Sequence, residues 1–94
     1  MASGEAKIQK DIINWLVFEG AWVVKTIATT KNGTPDILFC MRGKFGAVEV
    51  KKPGGRPTAL QLVQIRKIRE AGGLACVAYD LETVKDYVNH LMES

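Results

Sequence analysis

Apolar residues recur at Ile8, Ile12, Trp15 and Leu16, the i, i+4, i+7, i+8 spacing of a helix with one face in a core. Ser3 is placed to cap this helix near Glu5, and Gly20 to stop it. From Trp22 to Thr30 the chain becomes rich in β-branched residues and reads as a strand. Lys31-Asn32-Gly33-Thr34-Pro35 is dense in turn formers, and Pro35 fixes the approach to Asp36. Asp36 to Arg42 and Gly46 to Lys52 read as two strands joined by a short turn around Gly43-Lys44. Pro53-Gly54-Gly55-Arg56-Pro57 must be a loop; Thr58 then caps a helix that runs to about Ala71 and closes at Gly72-Gly73. Leu74 to Tyr79 is short and apolar enough for a strand buried on both faces, and Val84, Tyr87, Val88 and Leu91 mark a last amphipathic helix.

The order is helix, three strands, helix, strand, helix. A helix between the third and fourth strands is a crossover, which makes those strands parallel and lays the helix against the sheet. The expected fold is an α/β sandwich on a small mixed sheet. If the turn closes around residues 42 to 45, Met41 faces Gly46, and Asp36 faces Lys51 diagonally from Glu49. A slip of a residue or two at the turn keeps those three side chains neighbours.

Ninety-four residues allow one domain with a single modest core. No apolar run approaches the ~20 residues that span a bilayer, and Met-Ala-Ser-Gly-Glu-Ala-Lys has no secretory-signal core, so a cytoplasmic location and no membrane partner are expected. The net charge of +3 is compatible with nucleic acid without requiring it. Placement says more, because Arg42, Lys44, Lys51, Lys52 and Arg56 crowd the central hairpin and the loop after it. Cys40 and Cys76 each sit alone in apolar runs, far from His90, which excludes an obvious zinc site and points to two buried free thiols.

The chemistry lies in Gly33-Thr34-Pro35-Asp36 and Glu49-Val50-Lys51. Residues two apart on a strand share a face, so Glu49 and Lys51 point one way while Val48 and Val50 pack on the other. Neighbouring carboxylates repel unless a cation lies between them. Hard oxygen donors from Asp36 and Glu49, with the Val50 backbone carbonyl as a further ligand, suit Mg²⁺ or Mn²⁺. Such an ion can activate water against a phosphodiester, with Lys51 orienting the water or stabilising charge. The plain alternative is an amphipathic strand with a charged outer face and an Asp36 that caps a turn.

These residues resemble the signature of the PD-(D/E)xK nuclease superfamily, with Pro35-Asp36 and Glu49-Val50-Lys51 in the motif positions. Within it, the chain looks like a stand-alone, phage-type VRR-NUC domain. The likeness runs over nearly the whole chain, through Glu5, Ile8-Gln9-Lys10, Gly20, Gly33-Thr34-Pro35-Asp36, Glu49-Val50-Lys51 and Gln61 before Gly72-Gly73. It implies a restriction-endonuclease-like αβββαβ(α) sandwich. It also implies that Glu5 can approach the metal and that Gln61 can reach Lys51 or a water beside the ion. The bland readings are an acid favoured by the helix dipole for Glu5, and a helix-surface amide for Gln61. Gly54-Gly55-Arg56-Pro57-Thr58 departs from the shorter segment of many relatives and leaves the reach of Gln61 open.

Small members of the family are similar to junction-resolving enzymes. The expectation is therefore a structure-selective DNA endonuclease acting on branched DNA such as four-way junctions, with Arg42, Lys44, Lys52 and Arg56 on the backbone. Two cuts in a symmetric junction imply a homodimer, with Trp22, Phe39, Phe45 and Tyr87 as candidate interface aromatics. The alternatives are a non-cleaving DNA-binding accessory module that keeps the fold, a flap or single-strand nuclease, and, more remotely, an RNA-directed or small-molecule hydrolase.

Overall fold

The computed structural model describes residues 4–93, so the proposed Ser3 cap lies outside the described residues. The elements are α1 (Gly4–Phe18), β1 (Trp22–Lys25), β2 (Ile37–Met41), β3 (Lys44–Val50), α2 (Ala59–Glu70), β4 (Leu74–Ala78) and α3 (Leu81–Glu93). The four strands form one mixed sheet in the order β1-β2-β3-β4. β1–β2 and β2–β3 pair antiparallel, and β3–β4 pair parallel across the α2 crossover, as the sequence predicts. None of the helices among the described residues is long and apolar enough to cross a membrane.

Strand alternation sorts the side chains into two layers. Ile37, Phe39 and Met41 of β2, Val48 and Val50 of β3, and Leu74, Cys76 and Ala78 of β4 face one way and bury against α1 and α3. Ala47 and Ala75 face the other way, where their small side chains admit Ile65 of α2, with Leu38, Ile68 and Val77 around it. α2 is fixed at its start by a capping box: Gln61 N–H donates to Thr58 Oγ1 at 3.1 Å, and Thr58 N–H donates to Gln61 Oε1 at 2.8 Å. The outer edge of β4 is closed from both sides of the sheet. Ala75 N–H donates to Tyr87 Oη at 3.1 Å, and Arg69 Nε donates to Ala75 O at 2.7 Å.

Three local expectations are corrected. The first strand ends at Lys25 rather than Thr30, because its only ladder is with β2 and Lys25 already faces Ile37. Beyond that pair Thr26 N–H still reaches Asp36 O, but Pro35 has no N–H to extend the pairing. The central hairpin turns through Arg42 and Gly43 alone, at φ 52° and 79°, the paired positive values of a type I′ turn. Met41 therefore faces Lys44, not Gly46, and Asp36 falls opposite Glu49 rather than Lys51. Finally, Cys76 is buried but Cys40 is exposed. They lie on opposite faces of the sheet, and α2 does not extend over Cys40.

Candidate metal and phosphodiester site

Pro35 shapes the site by what it lacks. β2 and β3 pair Ile37 with Val48, so the next bonded pair along the register would be Pro35 with Val50. Without a proline N–H, the Val50 carbonyl receives no ladder donor from that side. The Val50 N–H donates instead to Asp36 Oδ2 at 2.9 Å, which turns the carboxylate toward β3. Thr26 holds the same corner from β1, its Oγ1 donating to Pro35 O at 2.9 Å and to Asp36 O at 3.1 Å. Sequence reasoning missed Thr26; its only signal was a threonine at the end of the strand preceding the Pro-Asp pair.

Glu49 faces Asp36 from the middle of the sheet and is 1% exposed. Its Oε2 lies 3.5 Å from Lys51 Nζ, while its Oε1 is buried with no hydrogen-bond partner. Burial pushes the Glu49 carboxyl from 4.5 up to about 8; Asp36 adds to that rise, and Lys51 opposes it. A deeply placed carboxyl with an unpartnered oxygen, beside a second carboxylate, leaves an oxygen-donor pair that protein groups do not satisfy. Asp36, Glu49 and the Val50 carbonyl could hold a small divalent ion by hard oxygen donors, with positions left for water and phosphate oxygen. The residues fit such an ion.

The other sequence-derived candidates fall in different places. Lys51 shares the face of Glu49, with only 17% of its side chain exposed. Gln61 lies on the helix that packs over this face of the sheet, and its amide oxygen accepts from Thr58 N–H as part of the helix cap. Glu5 is half-buried in the first turn of α1, on the opposite side of the sheet. Among the described residues no group of three or more Asp, Glu, His or Cys side chains is placed to share an ion, so Glu5 does not join Asp36 and Glu49. Lys52 and Arg56 are exposed in the loop leaving β3, beside the site. Arg42 and Lys44 stand at the hairpin tip, about 17 Å from Glu49 at the usual rise per strand residue. The basic cluster is thus divided, with Arg42 and Lys44 at one end of β3 and Lys51, Lys52 and Arg56 at the other.

Gly33 ties the Pro-Asp loop to α2. At φ 83° it adopts a backbone that L side chains rarely take, and a Cβ there would sit 2.6 Å from the Leu60 carbonyl carbon and 2.8 Å from Gln61 N. The glycine lets the loop lie directly on the first turn of the helix.

Neither a protein-family profile nor a curated protein sequence matches the chain. Solved structures do. The chain is similar to a VRR_NUC domain at a TM-score of 0.81 and 27% identity, over 95% of this chain and 98% of that one. It is also similar in fold to a VRR_NUC domain protein at a TM-score of 0.72 and 19% identity, over 95% of this chain and 91% of that one.

Proposed function

We propose that this chain, a VRR-NUC domain and so one of a family of nuclease domains, is a divalent-metal-dependent endonuclease of branched DNA. The observation that carries the reading is the buried Glu49, whose Oε1 has no partner and whose neighbours are Asp36 and the Lys51 ammonium. A purely structural charged strand gains nothing by burying a carboxyl beside a second carboxylate, since the pair can ionise together only with a cation between them.

Asp36 and Glu49, together with the Val50 carbonyl, would hold the ion, Mg²⁺ or Mn²⁺. When bound, the ion supplies a Lewis acid that polarises the attacking water and neutralises charge on the scissile phosphate. Val50 N–H fixes one Asp36 oxygen, so the other would be available to a bound ion. Lys51, steadied by Glu49, donates to a phosphate oxygen or to the water as charge grows. Lys52 and Arg56 attract the backbone next to the cut, while Arg42 and Lys44 meet DNA only at a distance along the sheet.

The described helices α1, α2 and α3 all pack on the sheet, which favours recognition of DNA shape over sequence. A homodimer, with two sites for a symmetric junction, is supported by the uncovered aromatics Trp22 and Phe45. Phe39 and Tyr87, by contrast, are committed to the core and to the β4 edge.

The test is cleavage of labelled four-way junction, flap, single-stranded and duplex DNA, with Mg²⁺ or Mn²⁺ and in EDTA. Asp36→Asn, which can still accept the Val50 N–H, and Glu49→Gln are run beside the wild type. Metal-dependent paired nicks in the junction, lost in both variants, are expected. Cutting that survives Asp36→Asn and Glu49→Gln would refute the assignment; binding without turnover in any divalent ion would favour the accessory-module reading.

A further inference from the structure

The carboxyl ends of β3 and β4 open into a groove of about 480 Å³ lined by Gly54, Gly55, Arg56, Pro57, Leu62 and Tyr79. Its position follows from the register. The ladder pairs Glu49 with Val77 and Val50 with Ala78, and Lys51 N–H donates to Ala78 O at 2.9 Å, carrying the pairing one step past the strands. Tyr79 therefore lies beside Lys51 on the face that carries Glu49, one row of side chains, or about 7 Å, beyond the carboxylates. The loop wall is continuous with the lysine. Gly55 N–H donates to Lys52 O at 2.9 Å, and a Cβ on Gly55 would lie 3.6 Å from Lys51 Cβ.

The groove's chemistry is distinct from that of the metal site. Tyr79 keeps 37% of its surface in water, and Leu62 is exposed beside it. The charged residue in the lining is Arg56; no acid contributes. An aromatic face flanked by aliphatic side chains, bordered by a guanidinium and adjoining a phosphodiester site, suits a nucleobase with its phosphate. We propose that this groove binds one unpaired nucleotide next to the scissile phosphate, with its base stacked on Tyr79 and its phosphate on Arg56. The assignment rests on the nuclease reading above and gives a physical source for preferring a flap or frayed end to continuous duplex. A base inside a continuous duplex has both faces occupied by neighbours and cannot stack on Tyr79 without leaving the helix. DNA with an unpaired nucleotide at a branch or frayed end fills the groove at no such cost.

Binding measured in EDTA separates this groove from catalysis. The probe is a flap whose first unpaired nucleotide is 2-aminopurine, with a fully paired duplex as control. The wild type should quench the probe and bind the flap more tightly than the duplex. Tyr79→Ala should abolish the quenching and weaken flap binding about ten-fold, the usual worth of one base–aromatic stack, with duplex binding unchanged. Tyr79→Phe, which keeps the ring, should match the wild type. An unquenched probe with the wild type, or a Tyr79→Ala protein that binds the flap as tightly as wild type, would overturn the groove assignment alone. Equal losses on flap and duplex would also overturn it, by making Tyr79 a structural residue. A wild type that binds none of the DNA forms in EDTA would overturn the groove assignment alone; failure to bind them with Mg²⁺ or Mn²⁺ present as well would remove the nuclease reading too.

Discussion

Glu49 shows what the site costs a single residue. Among the described residues it is the charged side chain buried in the fold, and its carboxyl is held near 8 by desolvation and by Asp36. In the unfolded chain the same carboxyl titrates near 4.5, so between about pH 4.5 and 8 the folded state binds more protons than the unfolded one. Stability of the metal-free protein should therefore fall as pH rises through that window and level off above it. Urea unfolding in EDTA at pH 5, 6.5 and 8 would register the decline, which Glu49→Gln should flatten. A Glu49→Gln protein with the wild-type slope would contradict this account. The two thiols make a second residue-scale contrast. Cys76 is buried and its pKa is pushed up to about 11, whereas Cys40 faces solvent. A thiol reagent should label Cys40 alone in the native protein and both after unfolding; native labelling of Cys76 would refute the burial.

At the scale of elements, the Pro-Asp loop and α2 form one unit through Gly33. A methyl at residue 33 meets backbone atoms of Leu60 and Gln61, which cannot rotate away, and the positive φ adds its own strain. Gly33→Ala should destabilise the fold by about 2 kcal/mol or more and, by moving Asp36, lower cleavage further than the stability loss explains. An unchanged melting temperature would show that the loop does not bear on the helix. The hairpin gives the opposite lesson in legibility. Gly43 signalled a turn, but Arg42 did not signal a left-handed residue, since arginine is an unusual choice for that conformation. The two-residue turn moved the register and with it the partner of Asp36.

For the whole molecule, the sheet's two faces are unequally covered. α1 and α3 bury one face, whereas α2 packs on β3 and β4 and leaves the β1–β2 half of the other open. The register aligns Trp22, Cys40 and Phe45 across three strands there, all exposed, with Trp22 at 66%. An apolar row of this kind is expected to find cover, and a second copy of the chain is the cover that the proposed junction cleavage calls for. Light scattering at micromolar concentration should give a dimer for the wild type and a monomer for Trp22→Glu. A wild-type monomer would remove the homodimer, leaving the chemistry of the single site untouched.

The sequence by itself determined the element order, the parallel β3–β4 pairing and the shared face of Glu49 and Lys51. Each follows from local periodicity, turn residues and the two-residue repeat of a strand. It marked Asp36 by Pro35 before it and by Gly33 two residues earlier still. Only the tertiary structure decided that Asp36 faces Glu49, because register depends on how many residues the turn consumes. It alone committed Gln61 to the helix cap and separated Arg42 and Lys44 from the site. It also brought Thr26 and Tyr79, which the sequence marked only as strand residues, to the ends of strands beside the Asp36–Glu49 pair. Such neighbours come from different strands, and no pattern along one stretch of chain records a contact that only the folded sheet creates.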